Sequence, residues 1–147
     1  MKKTDKLVDL LTADIENKDV LEVACGAADF SVSAARIANS VSCIDLDDGR
    51  LNDQVRRNKV RYLRFEIMDA SKMTYPDHAF DTAVMYNAFF HIQPQWELIE
   101  RECRRVVKET GKIYVIGTWS LDTGLMKEVF GDQAVWKDGF LIVKMTK

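Results

Sequence analysis

The chain has 147 residues, of which 47% are hydrophobic and 30% are charged, and its formal net charge is −2. This length and composition predict one globular domain over residues 1–147, and the mild negative charge argues against a protein that coats nucleic acid. No apolar run approaches the roughly 20 residues needed to span a bilayer, and no signal-like stretch follows the basic residues 2 and 3. We therefore expect a cytoplasmic protein that has neither a membrane nor a nucleic acid as a partner.

Helix-like and strand-like segments alternate along the chain. Apolar residues at helical spacing predict helices over residues 7–16, 30–39, 48–58, 94–108 and 121–130. Short apolar runs between them predict strands over residues 20–24, 41–45, 60–67, 82–87 and 112–118. Pro94 suits the first turn of its helix, and Gly111 suits the exit. This alternation predicts a parallel sheet covered on both faces, which is a three-layer α/β/α fold.

The first predicted strand runs into a loop of small residues. Ala24, Cys25, Gly26 and Ala27 follow an apolar run that contains Glu22, and a helix follows the loop. Such short side chains let a ligand lie against the backbone, close to the free N–H groups of the helix N-terminus. Asp45 ends the second strand 19 positions after Gly26, close to the spacing of about 20 residues at which a carboxylate meets a ribose in βαβ units. The two features predict a nucleotide-type site.

The end of the chain departs from this alternation. Asp138-Gly139 separates two strand-like runs, 134–137 and 140–145, and Asp-Gly in this setting is typical of a type I′ hairpin. Because a two-residue loop joins only antiparallel neighbours, the last strand is expected to run antiparallel to its neighbour. A dinucleotide dehydrogenase domain with six parallel strands has no place for this hairpin, so a nicotinamide-binding domain is disfavoured.

Residues with reactive side chains are few. Cys25, Cys43 and Cys103 are scattered without a Cys-x-x-Cys pair, so neither a disulfide framework nor a metal site is expected. His91, which follows the fourth predicted strand, is a candidate base because imidazole titrates near neutral pH. The alternative is that His91 caps or packs near the start of the following helix.

Large apolar side chains cluster near the predicted carboxyl ends of the strands, where open α/β sheets bind ligands. They could line an apolar substrate pocket, cover the sheet as ordinary core, or form a subunit interface. These side chains are Tyr86, Phe89, Phe90, Trp96, Trp119 and Met126.

Several motifs occur in a characteristic order: an acidic residue before the small-residue loop in 20–30, a strand that ends in Asp45, an Asp-Ala pair at 69–70 before Pro-Asp and Phe-Asp, and Arg-Val-Val-Lys-Glu-Thr-Gly at 105–111. Together they resemble the class I S-adenosylmethionine (SAM)-dependent methyltransferases, especially the small-molecule group that includes the quinone-biosynthesis C-methyltransferases. The resemblance extends from about residue 19 to residue 147. It implies a Rossmann-like sheet, SAM as the cofactor, and methyl transfer to an unidentified small-molecule acceptor.

The resemblance also implies roles for individual residues. The backbone around Ala24–Ala28 would face the amino-acid part of SAM, and Asn87 would lie beside the methionine moiety. Asp45 would accept hydrogen bonds from the ribose hydroxyls, and Leu46 would pack on the base. The adenine amino group would donate to Asp69, with the Ala70 N–H near a ring nitrogen. Alternatively, Glu22 and Asp45 cap strand ends, and Asp69 forms a turn.

Two departures from the family pattern are informative. Ala24 and Ala28 occupy the first and third glycine positions of the family's G-x-G-x-G motif, where a Cβ costs about 1 kcal/mol if φ is positive. Residues 119–124 lead almost directly into the last helix, so we expect an acceptor site that is open or closed by a second copy or a partner subunit. These departures also favour the alternative of a non-catalytic or weakly active SAM-binding subunit that acts with a partner.

Overall fold

The computed structural model describes residues 1–146, which form one seven-stranded sheet with helices on both faces. In chain order, the strands are β1 Asp19–Val23, β2 Ser40–Asp45, β3 Leu63–Ile67, β4 Phe80–Tyr86, β5 Val107–Gly117, β6 Ala134–Lys137 and β7 Phe140–Thr146. The α-helices are α1 Lys3–Leu10, α2 Thr12–Ile15, α3 Asp29–Ala34, α4 Asp53–Arg56, α5 Phe89–Ile92, α6 Trp96–Val106 and α7 Ser120–Phe130. Within residues 1–146, none of these helices is long and apolar enough to cross a membrane.

The strand order is β3-β2-β1-β4-β5-β7-β6. The first five strands in this order are parallel, whereas β7 runs antiparallel to both β5 and β6. Asp138 and Gly139 both have positive φ angles, 50° and 88°, as the type I′ turn requires. The mostly parallel sheet with an antiparallel C-terminal hairpin strand is therefore confirmed.

The sheet separates two layers of buried side chains because successive residues of a strand point to opposite faces. In β1, Val20 packs with the layer of α1 and α3, whereas Leu21 and Val23 pack with the layer of α5, α6 and α7. The next residue on the α3 side is Glu22, which is only 1% exposed. A carboxyl group thus occupies a position in β1 where the alternation calls for an apolar side chain.

Several predicted helices are shorter than expected. The helix predicted over 7–16 is divided into α1 and α2 at Leu11, and the helix predicted over 48–58 is reduced to α4. The Asn52 side chain accepts a hydrogen bond from the Gln54 backbone N–H at 2.7 Å, so it starts α4 as an N-cap. Pro94 lies in a 3₁₀ turn, Gln93–Gln95, which precedes α6.

The sequence predicted that α6 ends at Gly111, and this prediction is wrong. The helix ends at Val106, and Gly111 lies inside β5, where the pairing with β4 shifts register. A Cβ at Gly111 would lie 2.5 Å from the carbonyl oxygen of Asp81 and closer still to the Val107 side chain. The glycine is therefore required by the close approach of the two strands at this irregularity.

Candidate functional site

A cavity of about 380 Å³ opens at the carboxyl ends of β1, β2 and β4. This volume falls in the range of about 300–1,000 Å³ that is typical of small-molecule sites. Three segments line the cavity: the end of β1 with the loop into α3, the end of β2 with the segment after it, and the end of β4 with the segment into α5. The lining residues of the first two segments are Glu22, Ala24, Cys25, Gly26, Ala27, Asp29, Phe30, Asp45, Leu46, Asp47 and Arg50. The strand order reverses between β1 and β4, and such a switch point is where open α/β sheets bind ligands.

A smaller cavity of about 130 Å³ adjoins the first one. It contains Asp69 and Ala70, which follow β3, together with side chains from α5 and α6. The two cavities share four lining residues, which are Ala24, Asp45, Leu46 and His91. The structure thus brings every residue of the predicted site to one two-lobed cavity.

The loop after β1 has an unusual backbone. Ala24, Gly26 and Ala28 adopt positive φ angles of 56°, 55° and 69°. The left-handed region costs a residue with a Cβ about 1–2 kcal/mol relative to glycine. The two alanines that occupy family glycine positions therefore retain the glycine conformation, and the loop bears the strain.

We predict that Ala28→Gly relieves this strain at no cost to ligand binding. Unfolded-state entropy offsets the gain by about 0.4–1 kcal/mol, so the free energy of unfolding should change little. Affinity for S-adenosylhomocysteine (SAH), measured by calorimetry, should stay equal or increase. Ala27→Gly is the matched control, because Ala27 is not among the residues with positive φ and glycine there should only destabilise the fold. A marked loss of SAH affinity in a folded Ala28→Gly protein would contradict the prediction.

Asp45 holds the loop in place. Its Oδ2 accepts a hydrogen bond from the Gly26 N–H at 2.7 Å, and its Oδ1 accepts one from the Leu46 N–H at 2.7 Å. Two bonds from backbone donors to one carboxylate are charge-assisted and fix its orientation. Asp45 therefore both shapes the cavity and presents its remaining lone pairs to it.

Glu22 caps α3 from the neighbouring strand. The residue before α3 is Ala28, which has no side chain that can accept a hydrogen bond. Instead, Glu22 Oε1 accepts bonds from the Ser31 backbone N–H at 3.2 Å and from the Ser31 hydroxyl at 2.7 Å. Burial raises the pKa of Glu22 well above its usual range, and the bonds from Ser31 oppose this shift. The buried carboxyl thus satisfies one of the free N–H groups at the helix N-terminus.

The raised pKa makes the stability of the fold depend on pH. Between the unfolded and folded pKa values of Glu22, the folded state binds the proton and the unfolded state has lost it, so stability falls as pH rises above about 4.5. Glu22→Gln removes this titration. We expect the melting temperature of the variant relative to the unmodified protein to be higher at pH 8 than at pH 5. Glu128→Gln, at an exposed position of α7, should show no such trend, and an equal difference at both pH values for Glu22→Gln would contradict the assignment.

Asp69 forms a turn at the wall of the smaller cavity. Its Oδ1 accepts hydrogen bonds from the Ser71 hydroxyl at 2.7 Å and from the Ser71 N–H at 2.9 Å. The Ser71 hydroxyl and backbone N–H lower the pKa of Asp69, so this carboxylate is charged at neutral pH. The turn-forming alternative is therefore present in the structure, at a residue that also lines the cavity.

Arg105 anchors the segment that follows this turn. Its guanidinium donates to the carbonyl oxygens of Met73 and Tyr75 at 3.0 and 2.8 Å, and to the carboxylates of Asp77 and Glu102 at 2.9 and 2.8 Å. The Glu102 and Asp77 carboxylates raise the pKa of Arg105. This network ties the segment after Asp69 to α6.

Asn87 joins the ends of β4 and β5. It has a positive φ of 53°. Its side-chain oxygen accepts from the Thr118 N–H at 2.8 Å, and its amide group donates to the Thr118 hydroxyl at 3.0 Å. Asn87 lines the large cavity, and its amide is oriented by Thr118, the residue that follows β5.

His91 lies on α5 at the junction of the two cavities. The imidazole is exposed, and the Phe90 ring packs edge-on at 5.7 Å. Tyr86 and Trp119 line the same cavity, and Trp119 and Phe90 are 52% and 47% exposed. The rim next to His91 is therefore aromatic and open to solvent.

The other three aromatic or apolar candidates belong to the core. Phe89 and Met126 are fully buried, and Trp96 packs against Phe89 and Phe130 at ring distances of 5.4 and 5.8 Å. This cluster holds α5, α6 and α7 together. For Phe89, Trp96 and Met126, the core interpretation is therefore the correct one.

Cys25 is a packing residue at the cavity wall. A hydrogen bond with Cys43 and burial raise the pKa of the Cys25 thiol, which disfavours the nucleophilic thiolate form. Across residues 1–146, no group of three or more histidine, cysteine or acidic side chains is placed to hold a metal ion.

Arg50 and the capping role of Glu22 were missed by the sequence analysis. Arg50 follows Asp45 by five positions, in the segment at the carboxyl end of β2. Its position beyond a parallel strand end is a usable signal, because such segments build ligand sites. The partner of Glu22, Ser31, was not identifiable because it depends on how α3 packs against β1.

Comparison with known proteins assigns the chain to a family. A family profile described as "Methyltransferase domain" matches residues 21–115. The fatty-acid O-methyltransferase of Mycolicibacterium smegmatis is 33% identical over 101 residues, which are 67% of this chain and 36% of that protein. The demethylmenaquinone methyltransferase of Thermotoga maritima is 25% identical over 114 residues, which are 78% of this chain and 49% of that protein. This chain thus spans about half or less of the length of these curated relatives.

The fold comparison agrees with the family assignment. The crystal structure of a SAM-dependent methyltransferase from Aquifex aeolicus superimposes with a TM-score of 0.74 at 18% sequence identity, covering 97% of this chain and 88% of that chain. The chain belongs to the class I SAM-dependent methyltransferases, and its cofactor is SAM. The resemblance to the quinone-biosynthesis group is supported by the demethylmenaquinone methyltransferase among its relatives.

Proposed function

We propose that this chain transfers a methyl group from SAM to a small apolar acceptor that binds at the aromatic rim of the large cavity. The observation that supports this most directly is the position of Asp45. It lies between the loop after β1 and the small cavity of Asp69 and Ala70, and it lines both cavities. An elongated nucleoside with an amino-acid arm fits a two-lobed cavity with a carboxylate at its centre.

The proposed contacts follow from this arrangement. The backbone of residues 24–28 faces the amino-acid arm, with Asn87 beside it. Asp45 accepts from the ribose hydroxyls, and Leu46 packs on the base. Asp69 and the Ala70 N–H contact the polar edge of adenine. Asp45 and Asp69 are joined to backbone N–H groups that hold their orientation, as a preorganised site requires.

The charges of the large cavity fit a cationic cofactor. Burial favours the neutral form of Glu22, so the negative charges come from the other acidic side chains that line the cavity, Asp29, Asp45 and Asp47. SAM carries a positive sulfonium and a positive ammonium group, and opposite charges at a few ångströms attract in a partly desolvated site. The residues present therefore suit this cofactor better than a dinucleotide with two phosphates.

The rim is suited to a flat or apolar acceptor. Tyr86 and Trp119 line the large cavity together with His91, and the exposed Phe90 ring packs against the His91 imidazole. Aromatic rings stack on apolar ligands. By their names, the two relatives act on a fatty acid and on demethylmenaquinone, and both acceptors carry long apolar parts. We propose an acceptor with a long apolar part. We also propose that a second subunit covers the exposed rim.

In the proposed reaction, the side chains of this protein position the acceptor and take up its proton. When bound, SAM supplies an electrophilic methyl group on a positively charged sulfur. The protein holds the acceptor atom in line with that group and limits the access of water. We propose that His91, which lines both cavities, removes a proton from an acceptor that arrives protonated. The alternative of a non-catalytic subunit has no support from the relatives, which are named as methyltransferases.

The test has two stages. Calorimetry should show that SAH binds to the purified chain, whereas NADH does not. Methyl transfer from radiolabelled SAM should then be measured to palmitate and to a demethylmenaquinol analogue, with a heat-denatured sample as the control. Labelled product with either acceptor supports the proposal. Binding of NADH in place of SAH would overturn the cofactor site, and SAH binding without transfer to any acceptor in a wider screen would overturn the catalytic role.

A further inference from the structure

Arg50 lies across the loop at the wall of the large cavity. The Arg50 guanidinium packs against Gly26. A Cβ placed on this glycine would lie 3.6 Å from Arg50 Cζ, 3.7 Å from Nη1 and 3.8 Å from Nη2. Because the central carbon is the nearest of the three atoms, the flat face of the guanidinium covers Gly26. The N–H groups, which lie in the guanidinium plane, therefore point sideways and remain available as donors.

Arg50 has no partner among residues 1–146. No hydrogen bond or ion pair involves its guanidinium in this part of the chain, whereas the nearby Arg56 pairs with Asp48 at 3.2 Å. Asp45 and Asp47 line the same cavity, yet neither carboxylate lies within 4.0 Å of an Arg50 nitrogen. Among the described lining residues, Arg50 is also the only arginine or lysine.

We infer that Arg50 binds a carboxylate group of a ligand in this cavity, an inference that rests on the proposed function. A planar guanidinium with several free N–H donors matches a carboxylate in a two-bond arrangement. The acidic side chains suit the positive groups of the cofactor, so the one unpaired cation suits a negative group. Gly26, which Arg50 covers, belongs to the loop assigned to the amino-acid arm. The carboxylate is supplied either by that arm or by an acidic acceptor.

Calorimetry with two adenosine ligands tests the first source. SAH carries the amino-acid carboxylate, and 5′-methylthioadenosine lacks the entire amino-acid arm. We expect Arg50→Gln to weaken SAH binding by about 5- to 20-fold, a range that reflects an exposed charged bond, and to leave 5′-methylthioadenosine binding unchanged. The loss should shrink at high salt because ions screen exposed charges.

Arg57→Gln is the matched control. Arg57 is exposed, lies seven positions further along the chain and lines neither cavity. Arg57→Gln removes the same charge from the same region, so it should change the affinity for neither SAH nor 5′-methylthioadenosine. Equal losses in Arg50→Gln and Arg57→Gln would assign the effect to the overall charge of the protein and overturn the inference.

Decanoate binding to the SAH-saturated protein tests the second source. A loss of decanoate binding in Arg50→Gln, with unchanged SAH affinity, would assign the carboxylate to the acceptor. Unchanged affinity for all three ligands would overturn the inference, while SAH binding to the unmodified protein would leave the proposed cofactor site intact. If the unmodified protein bound neither SAH nor 5′-methylthioadenosine, the proposed function itself would be overturned.

Discussion

Replacing Asp45 with alanine should weaken SAH binding by about 10- to 100-fold. A charge-assisted hydrogen bond contributes about 1.5–3 kcal/mol, and each 1.4 kcal/mol is a tenfold change in affinity. The substitution also removes the acceptor of the Gly26 N–H, so the loop after β1 loses its anchor. Calorimetry on the folded variant, with circular dichroism as the check of folding, measures the effect.

Two comparisons make this result specific to the ribose. Asp48→Ala removes a carboxylate three positions away that pairs with Arg56 and lies outside both cavities, so it should leave SAH affinity unchanged. 5′-Methylthioadenosine retains the ribose, so Asp45→Ala should also weaken the binding of this ligand, whereas loss of the Gly26 anchor affects only the amino-acid arm of SAH. If the variant lost affinity for SAH alone, Asp45 would act on the amino-acid arm, and unchanged affinity for both ligands would remove Asp45 from the site.

His91→Ala should lower kcat by about 10²- to 10⁴-fold with an acceptor that must lose a proton from oxygen or carbon. This is the usual contribution of a positioned general base. SAH affinity should stay within about twofold, because such a loss concerns the reaction step and not cofactor binding. The measurement is a single-turnover methyl-transfer assay with the demethylmenaquinol analogue.

The choice of acceptor provides the internal control. Palmitate is already ionised at neutral pH, so its methylation needs no base, and His91→Ala should have only a small effect on it. His78→Ala tests the other histidine, which contacts Glu109 at 3.3 Å and lines neither cavity; it should have no effect with either acceptor. A drop of only a few-fold with the quinol would assign His91 to packing at the rim and leave orientation as the whole catalytic contribution.

Much of the candidate site could be predicted because a parallel sheet brings its strand ends to one edge. Gly26, Asp45 and Asn87 each lie at or just after the end of a strand, so predicting the strands was enough to place them together. Asp138-Gly139 predicted the hairpin for a local reason, since both residues tolerate positive φ. Such features depend on a few neighbouring residues and on the direction of the chain.

Other features depend on contacts between distant parts of the chain. Phe89 and Trp119 have similar chemistry and similar positions relative to strand ends, yet one is fully buried and the other is 52% exposed. The packing of α5 against α7 decides between them. The register shift that places Gly111 inside β5 likewise arises from how β4 and β5 meet, and no local pattern encodes it.

The sequence by itself therefore determined the alternation of strands and helices, the small-residue loop, the carboxylates at the strand ends and the final hairpin, because period, turn chemistry and spacing are local properties of the chain. Only the tertiary structure decided that Glu22 caps α3 through Ser31, that Asp45 bonds to Gly26, and that Arg50 covers this glycine without a partner. Each of these depends on side chains that approach across separate elements, and their distances are set by packing of the whole sheet and its helices.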